Sequence, residues 1–260
     1  MMMNDFSTVL NTHAWLAAIA CAVFGYLVGS VSFARLVYFL VTKSSKIEAF
    51  AEPVPHSSET FESDLVSATL INKKLGARYG CLTSVLDMVK VAVPTLLTMI
   101  IFKDHPWYLV TSLFGIIGHI YPVWYNFKGG RGESPILGSL LVINWYGLII
   151  ANVAGTILGF ITGSVLILRW SGYILLIFWF WYHFKTPWHT AYMILVCSLF
   201  FISMRIDFKN FQNLKKKKGI KFTEEDVSQF ILMGKGIGRT LDNYSLYALV
   251  KKLFMKSRSK

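Results

Sequence analysis

The run Gly118 to Gly132, reading GHIYPVWYNFKGGRG, has the residue types and spacing best suited to chemistry. It closes an apolar stretch with Lys128 and Arg131 set among Gly129, Gly130 and Gly132, just before another apolar stretch begins. Glycines let backbone amides converge on an anion, and the N-terminus of a following helix adds partial positive charge. A phosphate site at a membrane surface is one reading, and a flexible turn carrying basic residues is the other. A second run, Leu75 to Pro94, tips the balance by placing Asp87 and Lys90 one helical turn apart inside an apolar segment. Charges at membrane depth are costly and face a polar cavity or each other. The pair is thus either self-neutralising on one helix face or a device that turns Lys90 toward a phosphate-filled cavity.

The remaining chemically capable residues narrow the field. His119 stands near the end of its span, where hydrogen bonding within a helix bundle competes with a role as base. His183 and His189 sit with Trp181, Tyr182 and Trp188, the composition of an interfacial aromatic belt. GKGIG at Gly234 to Gly238 lacks the strand context and spacing of a P-loop and reads as a turn. Cys21, Cys81 and Cys197 form an odd set with no CxxC pair, so neither a disulfide framework nor a metal site is indicated. No cofactor is implied.

Together the two runs resemble the bacterial acyl-phosphate-dependent glycerol-3-phosphate acyltransferases, integral membrane enzymes of phospholipid synthesis, over most of Tyr26 to Leu214. Gly29, Ser30, Val31, Ser32 and Phe33 resemble that family's GSIPF-like segment without its proline. Glu62 to Gly76 keeps the spacing of its GSGNxGATNxxRxxG signature, matching at Ser63, Ala68, Thr69 and Gly76 and placing Lys73 for the arginine. Glu62, Asp64, Leu65, Ser67 and Leu70 replace three glycines and two asparagines. Asp87, Lys90 and Pro94 match D-x-x-K with its later proline, with Val91 for a glycine. GHxxPVxxxFKGGKG is matched nearly throughout, with Arg131 for lysine. Arg169, Trp170 and Ser171 resemble an Arg-aromatic-Ser signature less closely. In the last signature Asn210 and Leu214 hold register, while Asp207 and Phe208 replace histidine and arginine.

The resemblance implies Ser63, Lys73, His119 and Ser171 as candidate catalytic residues. It implies Lys90, Lys128, Gly129, Gly130, Arg131, Gly132 and Asn210 as candidate substrate-binding residues. Its implied partners are acyl phosphate, glycerol 3-phosphate and membrane lipid. An acyl phosphate is already an activated anhydride, so transfer needs mainly that two phosphate-bearing molecules be held with carbonyl and hydroxyl aligned. Cations and oriented amides would offset the repulsion between the anions. A substrate phosphate would take the hydroxyl proton, as the family implies, and no Ser-His-Asp set is demanded. None of the histidines is followed five positions on by aspartate, which disfavours the H-x-x-x-x-D glycerolipid acyltransferases. Two competitors stay open: a degenerate relative serving as a lipid-binding or assembly protein, and a small-molecule transporter with Asp87 and Lys90 along its path.

These residues need elements to hold them. Of 260 residues, 54% are apolar and 15% charged, and the mean hydropathy is +0.51. A soluble chain carries about 25% charged residues, so an all-α, polytopic membrane helical bundle is expected. Apolar runs of about 20 residues place spans at Leu16 to Val41, Gly80 to Phe102 and Trp107 to Phe127. Ile136 to Leu168 is too long for one upright helix and suggests two short crossings with a turn near Tyr146 to Gly155. Ser171 to Arg205 supplies two more, for about seven transmembrane helices in all.

With Met1 outside, 21 basic residues fall on inner segments against Lys103 and Lys185 on outer ones, the asymmetry expected of a chain with its C-terminus in the cytoplasm. A bacterial plasma membrane follows from the resemblance. Thr42 to Phe61 reads as irregular loop, and Leu65 to Leu75 as helical. Residues 1–206 are expected to form the transmembrane domain. Residues 207–260 hold +8 of the net +12 and form a basic helical tail, with Tyr244 to Lys256 amphipathic as a helix on an anionic leaflet would be. Nucleic-acid binding by that tail is disfavoured, because its aromatics are spaced for helix packing. Oligomeric state is not readable from the sequence.

Overall fold

The computed structural model describes residues 12–48, 50–54, 60–63, 65–218, 222–231 and 236–258. The first apolar run does not form one helix. α1 (Thr12–Gly29) stops at Ser30, and α2 (Phe33–Thr42) restarts after it, with the Ser32 hydroxyl accepting from the Arg35 amide as N-cap. Ser30 turns its hydroxyl back to the Tyr26 carbonyl at 2.8 Å, a local bond that competes with continued helix. The interruption therefore places non-helical backbone at Val31 and Ser32, inside a segment that hydropathy reads as continuous.

Thr42 to Phe61, expected as irregular loop, contains an antiparallel hairpin, β1 (Phe50–Pro53) with β2 (Thr60–Ser63), in which Phe50 faces Ser63 and Pro53 faces Thr60. Val54 beyond β1 is buried in the main core, which ties the insertion to the bundle. α3 (Ala68–Leu75) is the helix expected there, capped by the Ser67 hydroxyl. α4 (Ala77–Ile101) follows after Gly76, whose φ of +95° favours glycine.

α5 (Trp107–Ile120) is shorter than the span expected to reach Phe127; past Tyr121 and Pro122 the chain makes a 3-10 turn, and Asn126 and Phe127 both take positive φ. α1 and α5 pack backbone to backbone. A Cβ added at Gly25 would lie 2.2 Å from the Thr111 carbonyl oxygen, and one at Gly29 would lie 2.1 Å from that of Gly115. This is the small-residue packing that membrane helices use where no hydrophobic force drives them together.

α6 (Glu133–Thr162) is helical on both sides of Asn144, whose φ of −159° and ψ of 74° are not. α7 (Val165–Phe184) shows what happens there. Glu133 pairs with Arg169 near the start of α7, and Gly159 packs on Leu168 beside it, while Gly147 packs on Trp179 near the other end. Glu133 and Gly159 thus share one end of the bundle, so the chain turns back at Asn144. The turn lies just before the Tyr146 to Gly155 stretch expected from sequence. The Asn144 side-chain oxygen holds it, accepting from the Gly147 amide at 2.7 Å and the Trp179 indole at 3.2 Å.

α8 (Pro187–Lys218) runs unbroken through the boundary drawn at residue 206, and its Phe200 and Met193 join Ile136, Leu140, Leu176 and Phe180 in the core. Among the described residues, five stretches are long and apolar enough to cross a membrane: Trp15–Thr42, Ala77–Ile101, Glu133–Thr162, Val165–Phe184 and Pro187–Arg205. The outward faces are apolar too, with Val85, Val89, Val93, Leu96 and Ile100 exposed along α4 and Ile149, Val153, Ile157 and Ile161 along α6. Such stripes suit lipid as solvent, and the protein is a multi-pass membrane protein. The chain closes with α9 (Glu224–Ile231), α10 (Gly236–Tyr244) and α11 (Leu246–Arg258), which fold back onto the bundle end and bury Val227, Ser228, Leu241, Ser245 and Ala248.

Candidate active site

The glycine run lies between α5 and α6 at the bundle end that also holds the start of α7. It is pinned from both sides. The Gly130 amide donates to the His119 carbonyl at 3.2 Å. Gly129 and Gly130 lie so close to His119 that an added Cβ would sit 2.0 Å from its carbonyl oxygen or 2.3 Å from its Nε2. Only glycine fits at either position. Gly132 has φ +84° and leads into α6, whose first turn carries Glu133. From α8, the Ser203 hydroxyl donates to the Arg131 carbonyl at 2.8 Å.

The two candidate cations inside the protein are both held by acids. Arg131 is buried, and its Nε and Nη2 meet Asp207 Oδ2 at 2.7 and 2.6 Å. Arg131 and Asp207 are the two places where the resemblance expects lysine and histidine. The structure joins the two departures as one ion pair, so the guanidinium serves first to lock the loop onto α8. Asp207 is a partner the sequence reading does not select. An acid in place of the histidine, opposite in charge to Arg131, was the available signal.

Lys90 lies within a buried cluster, with Nζ 2.6 Å from the Val31 carbonyl, 2.9 Å from His119 Nδ1 and 2.8 Å from Asp87 Oδ1. The Asp87 and Lys90 pair is joined by a third group, His119, and all three line a small recess. The pair's further task is to hold the α1–α2 interruption open through Val31. His119 Nδ1 also lies 3.6 Å from Asp87 Oδ1, so the imidazole is held between the ammonium and the carboxylate, with Nε2 turned toward Gly130.

Two recesses flank the loop and share Gly129 and Gly130. The smaller, about 10 Å3, is walled by Gly29, Ser30, Val31 and Ser32, by Val66, and by Asp87, Lys90 and His119. The larger, about 220 Å3, is lined by Lys128, Ser203 and Arg205 together with Leu65, Ile120, Tyr121, Phe127 and Ile202. Both cations are exposed. Arg35 braces this rim by donating to the Lys128 carbonyl at 3.0 Å and lying 4.6 Å over the Tyr125 ring. Arg205 and Ser203 are site residues that the sequence reading does not select, although a cation at the end of the last span is a visible signal.

Other expected site residues are distributed less tightly. Ser63 ends β2, two residues before Leu65 of the larger recess. Lys73 donates from Nζ to the Gln229 carbonyl at 3.0 Å, in the last turn of α9, where a cation suits the helix dipole. Asn210 lies about one turn beyond Asp207 on α8. Ser171 is not brought to the loop: its hydroxyl donates to Ile167 within α7, and it packs near Gly155. Its neighbour Arg169 does contribute, donating from Nε to Glu133 Oε1 at 2.7 Å and so fixing the start of α6.

Comparison with known proteins adds an independent line. A family model described as glycerol-3-phosphate acyltransferase matches residues 19–217, leaving α9, α10 and α11 outside it. The chain is 30% identical over 130 residues to the glycerol-3-phosphate acyltransferase of Aquifex aeolicus, covering 50% of this chain and 61% of that one. It is 34% identical over 143 residues to that of Mycoplasma mycoides subsp. mycoides SC, covering 52% and 50%. The chain thus spans between half and about three-fifths of the length of these relatives. Its fold is similar to a crystal structure of the integral membrane enzyme PlsY in a glycerol 3-phosphate form, with TM-score 0.61, 23% identity and coverage of 81% of this chain and 98% of that one. The lysophosphatidic acid form gives TM-score 0.60 at 22% identity, covering 79% and 95%.

Proposed function

Since the chain belongs to the glycerol-3-phosphate acyltransferase family, we propose that it moves a fatty acyl group from acyl phosphate to the 1-hydroxyl of glycerol 3-phosphate. The hydroxyl oxygen attacks the carbonyl carbon, the C–O bond to phosphate breaks, and the hydroxyl proton passes to phosphate. The products are lysophosphatidate and inorganic phosphate. The observation that carries the reading is the glycine loop, fixed between His119 and Asp207, with Gly129 and Gly130 lining both recesses. Two anions held against one backbone segment are positioned for transfer with little reorganisation.

The larger recess suits an amphiphile, because Lys128 and Arg205 line it together with Phe127, Tyr121 and Ile202. The smaller polar reactant is assigned to the recess lined by His119 and the interrupted backbone at Gly29 to Ser32. Lys90 and Arg131 then act as positioning residues, since each is engaged within the protein. Ser63, Lys73, Ser171 and Asn210 remain candidates carried by the resemblance. Seven passes with the N-terminus outside and the glycine loop at the cytoplasmic face of a bacterial plasma membrane fit the basic-residue asymmetry.

The test is purified full-length protein with palmitoyl phosphate and labelled glycerol 3-phosphate. Labelled lysophosphatidate is expected, reduced at least about tenfold by Lys128→Ala or Arg205→Ala, the loss of one charge-assisted contact. Properly folded protein that forms no labelled lipid would leave the degenerate-relative reading in its place.

A further inference from the structure

We infer that α11 is a docking surface for an anionic lipid leaflet, a property independent of acyl transfer. Ser245 and Ala248 face the body of the protein and are buried. Leu246, Leu249, Val250 and Leu253 recur at the spacing of one helix face, and that face points away from the bundle. With Tyr247 and Phe254 beside it, the arc is open to the surroundings, Leu253 at 69% and Phe254 at 70% exposure. A helix whose apolar face avoids its own protein either meets another surface or carries an unfavourable exposed patch.

Three observations select lipid as that surface. The arc continues a lipid-facing one: Leu246, Leu249 and Tyr244 share a groove of about 620 Å3 with Ile157, Phe160 and Ile161 of α6. α11 also begins where α6 ends, since a Cβ on Gly163 would lie 2.8 Å from Ser245 Oγ. The helix therefore sits at the rim of the hydrocarbon zone. Its charge is one-sided, with five Lys or Arg and no Asp or Glu from Leu246 to Lys260. Lys251 and Lys252 flank the apolar arc, where basic side chains reach headgroups while the arc enters the acyl boundary. A second copy of α11 would bring the same positive charge and repel.

The test uses the full chain with Cys81→Ser, Cys21 and Cys197 being buried, and Leu253→Cys carrying an environment-sensitive fluorophore. The protein is placed in nanodiscs of phosphatidylcholine with or without phosphatidylglycerol, doped with a lipid bearing a nitroxide near the headgroup end of its acyl chain. Blue-shifted emission and strong quenching are expected in the anionic discs and weak quenching in the neutral ones. Lys251→Gln with Lys252→Gln is expected to shift the docked-to-undocked ratio by roughly 30-fold, the effect of two surface charges. Absence of quenching in both lipids overturns the proposal. So does equal quenching in both that ignores the lysines, or emission that changes only when two copies share a disc.

Discussion

A guanidinium as deeply buried as Arg131 would cost several kcal/mol without a counter-ion, and Asp207 removes that cost by meeting two of its nitrogens with one carboxylate oxygen. Cutting the pair from one side should therefore hurt more than replacing both members. Asp207→Ala is expected to destabilise by about 3–5 kcal/mol, read as a lower melting midpoint in detergent. Arg131→Met combined with Asp207→Leu, which removes both charges, should recover part of that loss; a double variant no better than Asp207→Ala would show that the two positions do not act together. Lys90→Ala strands Asp87 in the same way, and adding Asp87→Ala should relieve it. If Lys90 instead met substrate directly, the single variant would keep its melting midpoint and lose activity alone.

Between residue and fold stand two interruptions, at Ser30 and at Asn144. Each breaks a long apolar helix, and each uses a side chain with a local backbone bond to do so. Asn144→Ala removes the acceptor for a backbone amide and an indole, both buried or partly so. A loss of about 1–3 kcal/mol is expected, visible as increased proteolysis near residue 144 in detergent. α1 meets α5 by close backbone approach, with the Tyr26 hydroxyl donating to the Tyr121 carbonyl at 2.9 Å. Gly29→Val would drive a side chain into the Gly115 carbonyl, so detergent-extracted protein should lose its sharp melting transition. An unchanged midpoint would mean that α1 sits farther from α5.

At the scale of the whole molecule, the basic tail is a cap over the bundle end that carries the loop. Lys73 binds the Gln229 carbonyl, and the Val165 amide at the start of α7 donates to Glu224 Oε2 at 2.7 Å. Burial holds the Glu224 carboxyl above its ordinary value, and the Val165 amide offsets part of that rise. A carboxyl whose folded value exceeds its unfolded one stabilises docking fully below about pH 4.3 and loses that contribution as pH climbs through the shifted value. Limited proteolysis after residue 218 should accordingly quicken from mild acid toward neutral pH. Glu224→Gln should lessen that rise, and an identical profile in the variant would exclude Glu224 as a source.

Several properties were legible without coordinates because they depend on composition and short-range spacing. The helical membrane class follows from charge depletion and apolar run length, and the GHIYPVWYNFKGGRG loop from its glycines and cations. A fold-back within Ile136 to Leu168 follows from a run too long for one upright helix. Hydropathy missed the break at Ser30 because serine and glycine barely change it, and it missed the hairpin because two four-residue strands carry too little pattern. The Gly25 and Gly29 spacing names no partner until α5 lies against it. What each charge does was settled only in three dimensions. Lys90, Lys73 and Arg131 lie far along the chain from Val31, Gln229 and Asp207, and electrostatic energy depends on separation in space, to which separation in sequence is blind.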